Sequence, residues 1–165
     1  MNTSHHIAEL NVGRLIAPTD DPRAAEFMGA LDRINGLGKR MPGFVWMMEG
    51  SGEPGTGNTE NAIGGDAQFV SNLTVWEDVQ SLENFVYNTV HKQFYDRRQE
   101  WFEVMTKPHF VMWFVEKGHK PTLDEALERL AYKDTHGDSD HAFGWSYLTE
   151  ATLFKDRKST RLNSS

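Results

Sequence analysis

NLTVWEDVQSLENFVYNTVHKQFYDRRQEWFEVMTKPHFVMW, residues 72–113, decides the fold. It opens in a strand running from Gln68 to Trp76. Phe69, Ser71, Leu73 and Val75 share one face of that strand, and Val70, Asn72, Thr74 and Trp76 share the other. Glu77 and Asp78 then open a long helical segment whose apolar side is Leu82, Phe85, Val86, Val90, Phe94, Trp101 and Met105. Asn88 and Thr89 are weak helix formers and mark a break. A last strand follows from Pro108 to Val115. His109, Val111, Trp113 and Val115 face one way and Phe110, Met112 and Phe114 the other.

Outward from this stretch the same logic repeats. Ile7 to Leu15 reads as a strand with Ala8, Leu10 and Val12 on one face and Ile7, Glu9 and Asn11 on the other. Asp21 caps a helix whose first residue is Pro22, where a missing N–H costs nothing. Ala24, Phe27, Met28, Leu31 and Ile34 form its apolar stripe, and Gly36 and Gly38 are expected to end it. Phe44 to Met48 is a strand, with Phe44, Trp46 and Met48 expected on one face. Residues 49–66 hold six glycines and read as a long loop; they lack the Gly-Lys-Ser/Thr ending of a phosphate loop. Thr122 and Glu125 form a capping box ahead of Leu123, Ala126, Leu127 and Leu130. The order is strand, helix, strand, strand, helix, strand and a terminal helix. It predicts an α+β fold, a ferredoxin-like split βαβ sandwich. A single domain is expected over residues 5–150. Residues 151–165 read as a disordered, non-native tail, KSTRLNSS having the look of a translated adaptor.

Composition narrows the function. The chain has 165 residues, 25% of them charged, and a net charge of −7 without a basic cluster. That argues against nucleic acid and against anionic membrane surfaces as partners. The absence of cysteine removes thiolate metal sites, disulfides and cysteine nucleophiles. With no apolar run long enough for a membrane helix and no signal-like start, a cytoplasmic protein is expected.

The reactive residue types gather around His91. Tyr87 and Tyr95 lie one turn away and Arg98 two turns on, so a continuous helix would give them one face with a tunable imidazole. Arg97 competes with Arg98 for that place. Asn11 and Asn72 are polar side chains on apolar strands and need partners if buried. Each has a plain structural reading: a border histidine as a hydrogen-bonder, Asn11 at a wet edge, Asn72 bonded to backbone, His109 at the rim. His136 and His141 have no metal-ligand spacing, and Phe143 and Trp145 either cover the pocket or dock the C-terminus.

AELNVGRLIAPTDDPRAAEFMGALDRIN, PGFVW, NLTVWEDVQSLENFVYNTVHKQFYDRRQEWF, HFVMWFVEKGHKPTLDEALERL and HGDSDHAFGW resemble a domain-of-unknown-function family of the dimeric α/β-barrel superfamily, whose members include antibiotic-biosynthesis monooxygenase-like proteins. The resemblance implies a homodimer with sheets packed face to face, which would cover strands that are apolar on both sides. It also implies a pocket between sheet and helices. LTVWEDVQSLENFVYNTVHK is similar to the heme-degrading monooxygenase segment that carries a strand tryptophan and a heme-ligating histidine. The matching positions are Asn11, Trp76 and His91, although His91 follows Trp76 about one helical turn early.

Two classes of function follow. One is a small-molecule enzyme on an apolar or aromatic substrate, a monooxygenase or isomerase needing no cofactor. There His91 is the general base, Arg98 stabilises an oxyanion, and Asn72 and Asn11 orient a carbonyl. Trp46, Trp76, Tyr87, Tyr95, His109 and Trp113 wall the substrate. Its variant is a heme protein ligated through His91. The other class is a non-catalytic dimeric ligand-binding or stress protein, in which the aromatics are core.

Overall fold

The computed structural model describes residues 5–17, 21–48, 69–89, 91–103 and 109–149. The loop expected at 49–66 and the tail from 151 lie outside the described residues. The chain forms β1 (His5–Arg14), α1 (Pro22–Arg40), β2 (Phe44–Met47), β3 (Phe69–Trp76), α2 (Val79–Asn88), α3 (His91–Asp96), β4 (Phe110–Glu116) and α4 (Leu123–His136). The four strands make one antiparallel sheet in the order β2-β3-β1-β4. The fold is therefore α+β. Among the described residues no helix is long and apolar enough to cross a membrane.

The strand alternation divides the core in two. Ala8, Leu10, Leu73, Val75, Val111 and Trp113 are buried on one face, where Leu123, Ala126, Leu127 and Leu130 of α4 pack. The chain thus supplies a cover of its own for a face that the sequence reading gave to a second subunit. On the other face Ile7, Trp76 and Met112 meet Val79, Leu82 and Phe85 of α2 and Ile34 and Leu37 of α1. Phe143 joins this layer by a bridge to Met112 along the open edge of β4, and Trp145 stacks on Phe110 at 5.7 Å. The returning segment therefore both covers the sheet edge and docks the chain after α4.

Local signals set the ends of the elements. The Asp21 carboxylate accepts the Arg23 backbone N–H, with Pro22 at the first helical position. The Asp78 carboxylate accepts the Ser81 N–H at 2.8 Å, and the Thr122 hydroxyl accepts the Glu125 N–H at 3.1 Å. Only half of the expected capping box forms, because the Glu125 carboxylate accepts Trp113 Nε1–H at 3.0 Å instead.

Three expectations are corrected. First, Gly36 and Gly38 do not end α1, which continues to Arg40. Gly38 instead admits the Phe85 ring, whose Cζ would lie 3.3 Å from an added Cβ. Second, Phe44 and Trp46 do not share a face. Phe44 pairs with Trp76 and Trp46 with Val75, so Val45 is an extra residue in a β-bulge that reverses the alternation. Third, the helix after Asp78 breaks fully at Thr89. Its hydroxyl donates back to the Phe85 carbonyl at 2.6 Å and accepts the His91 N–H at 3.2 Å. His91 therefore starts a new short helix, and the helical spacing that joined it to Tyr87 does not cross the break.

Candidate functional site

The face covered by α1 and α2 carries a polar stripe through otherwise apolar layers. The β1–β3 register sets Glu9 opposite Thr74 and Asn11 opposite Asn72. Residues two apart on a strand point the same way, so all four side chains lie on one face, the two rows separated by roughly 7 Å. Asn35 on α1 reaches down to this stripe, its Oδ1 accepting Asn72 Nδ2–H at 3.3 Å. The stripe is graded: Asn11 and Asn72 are half-buried, whereas Glu9 is 5% exposed and Thr74 4%. Solvent reaches the asparagine row and hardly reaches the glutamate row.

Glu9 is the unusual group. Trp76 Nε1–H donates to Thr74 Oγ1 at 3.0 Å, and Thr74 Oγ1 lies 2.7 Å from Glu9 Oε2. An indole nitrogen only donates. The threonine oxygen therefore accepts from Trp76 and turns its own proton on Glu9. That bond makes Oε2 an acceptor, so a protonated Glu9 carries its proton on Oε1. Burial drives the Glu9 pKa up to about 7, and the Thr74 hydrogen bond offsets only part of the rise. The sequence-level alternation had placed Glu9 on this face; its chemistry was missed because a lone glutamate on an edge-like strand reads as solvated. Asn35 was missed as well. It lies four residues after Leu31, on the buried side of the α1 stripe. Thr74 shares the face of Asn72 and carried no signal by itself.

His91 adjoins this site only through a ring. Phe85 stacks on Trp76 at 5.3 Å and meets His91 at 4.9 Å on a tilted contact. Burial holds the His91 pKa down to about 4, opposed by an N–H donated to the Val86 backbone carbonyl. At neutral pH the imidazole is uncharged and a weak base. Its Nδ1 is enclosed in protein. Axial heme ligation would need an open ring nitrogen facing a broad planar cavity, and Nδ1, being enclosed, does not supply it.

The remaining sequence-expected residues scatter. Trp76 lies under the stripe, but Trp46 and Trp113 lie on the opposite, α4-covered face. Arg129 stands 5.9 Å over the Trp113 ring there. Tyr87 packs against Trp145 at 5.8 Å, not within the stripe. The side chain of Tyr95 lies outside the described residues. His109 is exposed ahead of β4, and its backbone carbonyl accepts the Val12 N–H at 2.8 Å. Loss of hydration, then the charges of Arg98 and Lys133, push its pKa down. Arg98 is thereby a neighbour of His109. Arg97 is committed elsewhere, to Glu26 at 2.6 Å and Glu100 at 2.8 Å, with its guanidinium 4.8 Å over Trp101. No group of three or more His, Asp or Glu suited to a metal ion occurs among the described residues.

An α+β domain with an acidic group buried on the face of the sheet that α1 and α2 cover is the class that fold and site define. Residues 6–159 match the family described as a domain of unknown function, DUF3291, and the chain belongs to that family. No curated protein matches. Among solved structures, the chain is similar to PA3566 from Pseudomonas aeruginosa, with 12% identity and a TM-score of 0.46. That similarity covers 72% of this chain and 100% of the other. A protein of unknown function from Nitrosomonas europaea, NE2512, has 8% identity and a TM-score of 0.43, over 73% and 97% of the respective chains.

Proposed function

We propose that this protein is a cytoplasmic small-molecule enzyme, of the cofactor-independent isomerase or monooxygenase type, acting on an apolar or aromatic carbonyl or phenolic substrate. The observation that carries the reading is the buried Glu9 carboxyl, fixed through Oε2 by Thr74 and titrating at about 7. A general base works best when its pKa lies near the working pH. Glu9 meets that condition, and His91, held at about 4, does not. Glu9 therefore takes the role first expected of His91, which becomes a packing residue behind Phe85.

In this scheme Glu9 Oε1 removes a proton from carbon next to a carbonyl, or from a phenol. The Asn11 and Asn72 amides donate to the oxygen on which charge develops. In the isomerase version the same carboxyl returns the proton to another carbon. In the monooxygenase version dioxygen is the co-substrate, and a phenol plus dioxygen gives a quinone plus water. Trp76, Phe110 and Met112 provide apolar surface beside the stripe. Among the open choices of superfamily, the antiparallel order β2-β3-β1-β4 with α1 and α2 on one face supports a ferredoxin-like, dimeric α/β-barrel assignment. The homodimer proposed with it would use the β2 side of the α4-covered face, where Trp46 and Met48 are only partly buried.

The test is deuterium exchange at C1 of 2-tetralone, an enolisable aromatic ketone, in D2O. The protein should accelerate exchange, and Glu9→Gln should lower that rate roughly 10²-fold while His91→Leu leaves it within a few-fold. Exchange no faster than in buffer would return the protein to the non-catalytic, ligand-binding class. A hemin titration without a shifted Soret band is expected, because His91 Nδ1 is enclosed and the imidazole packs behind Phe85.

A further inference from the structure

We propose that Asn35 on α1, with Asn72 on β3, is a recognition site for a ligand carbonyl or enolate oxygen, with Asn35 Nδ2–H as the donor; this rests on reading the polar stripe as a substrate site. Asn35 is 8% exposed, and its Nδ2 is fully enclosed with no acceptor in reach among the described residues. Its Oδ1 is occupied by Asn72 Nδ2–H at 3.3 Å, a long bond that orients the amide more than it stabilises it. Buried amide donors are nearly always paired in folded proteins. A donor left unpaired costs stability, and a bound molecule is one way to complete it.

The surroundings say which molecule. Asn35 projects from the helix that covers the stripe, and Asn72 lies next to Asn11 across the ladder. The Asn35 amide therefore meets the sheet at the Asn11–Asn72 row, which is about one strand step from the Glu9–Thr74 row. An acceptor oxygen at Asn35 and a reactive C–H near Glu9 describe one compact ketone or enol, its ring lying over the apolar residues between them. A carboxylate ligand is disfavoured, because among the described residues this row of the stripe pairs Asn11 with Asn72 and Arg97 is tied to Glu26 and Glu100. Specificity follows from the same geometry. A site built to donate to an oxygen discriminates strongly against an analogue lacking it.

The experiment compares matched ligands on the full-length protein: 2-tetralone, its alcohol 2-tetralol, and the hydrocarbon tetralin, by titration calorimetry. Wild type should bind the ketone roughly tenfold more tightly than tetralin, and Asn35→Leu should remove most of that preference. Asn35→Leu should also match or exceed wild-type stability in urea, since it removes an unpaired donor and half-buried Asn72 can turn to water. Asn35→Asp, nearly isosteric, should likewise lose the ketone preference. A preference undiminished in Asn35→Leu, a wild-type preference for the alcohol, or a marked destabilisation by leucine would each overturn the proposal. Failures separate cleanly. Glu9-dependent exchange with a ketone preference indifferent to Asn35 removes only this inference. An Asn35-dependent preference without exchange keeps the binding site and removes the enzyme.

Discussion

Thr74 donates its hydroxyl proton to Glu9 Oε2 at 2.7 Å, across the pair that the β1–β3 register sets opposite one another. The direction of that bond is imposed by Trp76, whose indole N–H occupies the threonine oxygen as an acceptor. A chain of three side chains thus fixes which oxygen of a buried acid is left to exchange protons. Thr74→Val deletes the hydroxyl, leaves the Trp76 N–H unpaired and strips Glu9 of its one bond that favours charge. Urea unfolding should show a loss of about 1–3 kcal/mol, and the Glu9 pKa should rise further. Thr74→Ser, which keeps the hydroxyl, should restore most of both.

Glu9 and His91 give opposite pH dependences of stability. Glu9 has a folded pKa of about 7, above the unfolded value of 4.5, so the folded state binds the extra proton between them. Its contribution is full below pH 4.5 and is lost as pH rises to about 7. His91 has a folded pKa of about 4, below the unfolded 6.5. Its contribution is full above pH 6.5 and is lost as pH falls to about 4. From pH 4.5 to 6.5 the two slopes cancel. His91→Leu should therefore reveal stability that declines from pH 4.5 to 7. Glu9→Gln should reveal stability that climbs from pH 4 to 6.5. Urea midpoints at half-unit pH steps check both signs, and parallel profiles in the two variants would refute the assignment.

Two glycines of α1 should respond oppositely to alanine. Gly29 is exposed, with nothing within 4 Å of an added Cβ, so Gly29→Ala should stabilise the helix by about 0.5–1 kcal/mol. Gly38 gains the same propensity, but its Cβ would press on Phe85 at 3.3 Å. That ring is held between Trp76 and His91 and cannot move aside. Gly38→Ala should be destabilising, by about 1–3 kcal/mol, as overpacked cores are. Thermal melts of the two single variants measure the contrast.

What the sequence displayed was periodicity. The alternation of β1, β3 and β4 and the stripes of α1 and α4 located the core faces, because burial of alternate residues requires that pattern. What it hid depended on single residues acting across the chain. Val45 reversed the β2 faces through one inserted residue, and so Trp46 parted from Phe44 and joined Trp113 behind the sheet. Gly38 looked like a helix stop because the ring that needs its missing side chain lies 47 residues away. Thr89 broke the helix through a side-chain bond to the Phe85 carbonyl, and with it the spacing on which His91 had been joined to Tyr87. Glu9 and Asn35 became conspicuous only when burial showed one acid without water and one amide without an acceptor.

The most direct measurement is a carbon-13 NMR titration of the Glu9 side-chain carboxyl, assigned by comparison with Glu9→Gln. The buried, Thr74-anchored carboxyl should titrate with a midpoint of about 7, well above the glutamates at the surface. A midpoint in the ordinary range near 4.5 would mean that Glu9 is hydrated or paired, and would remove it as the proton-transfer group.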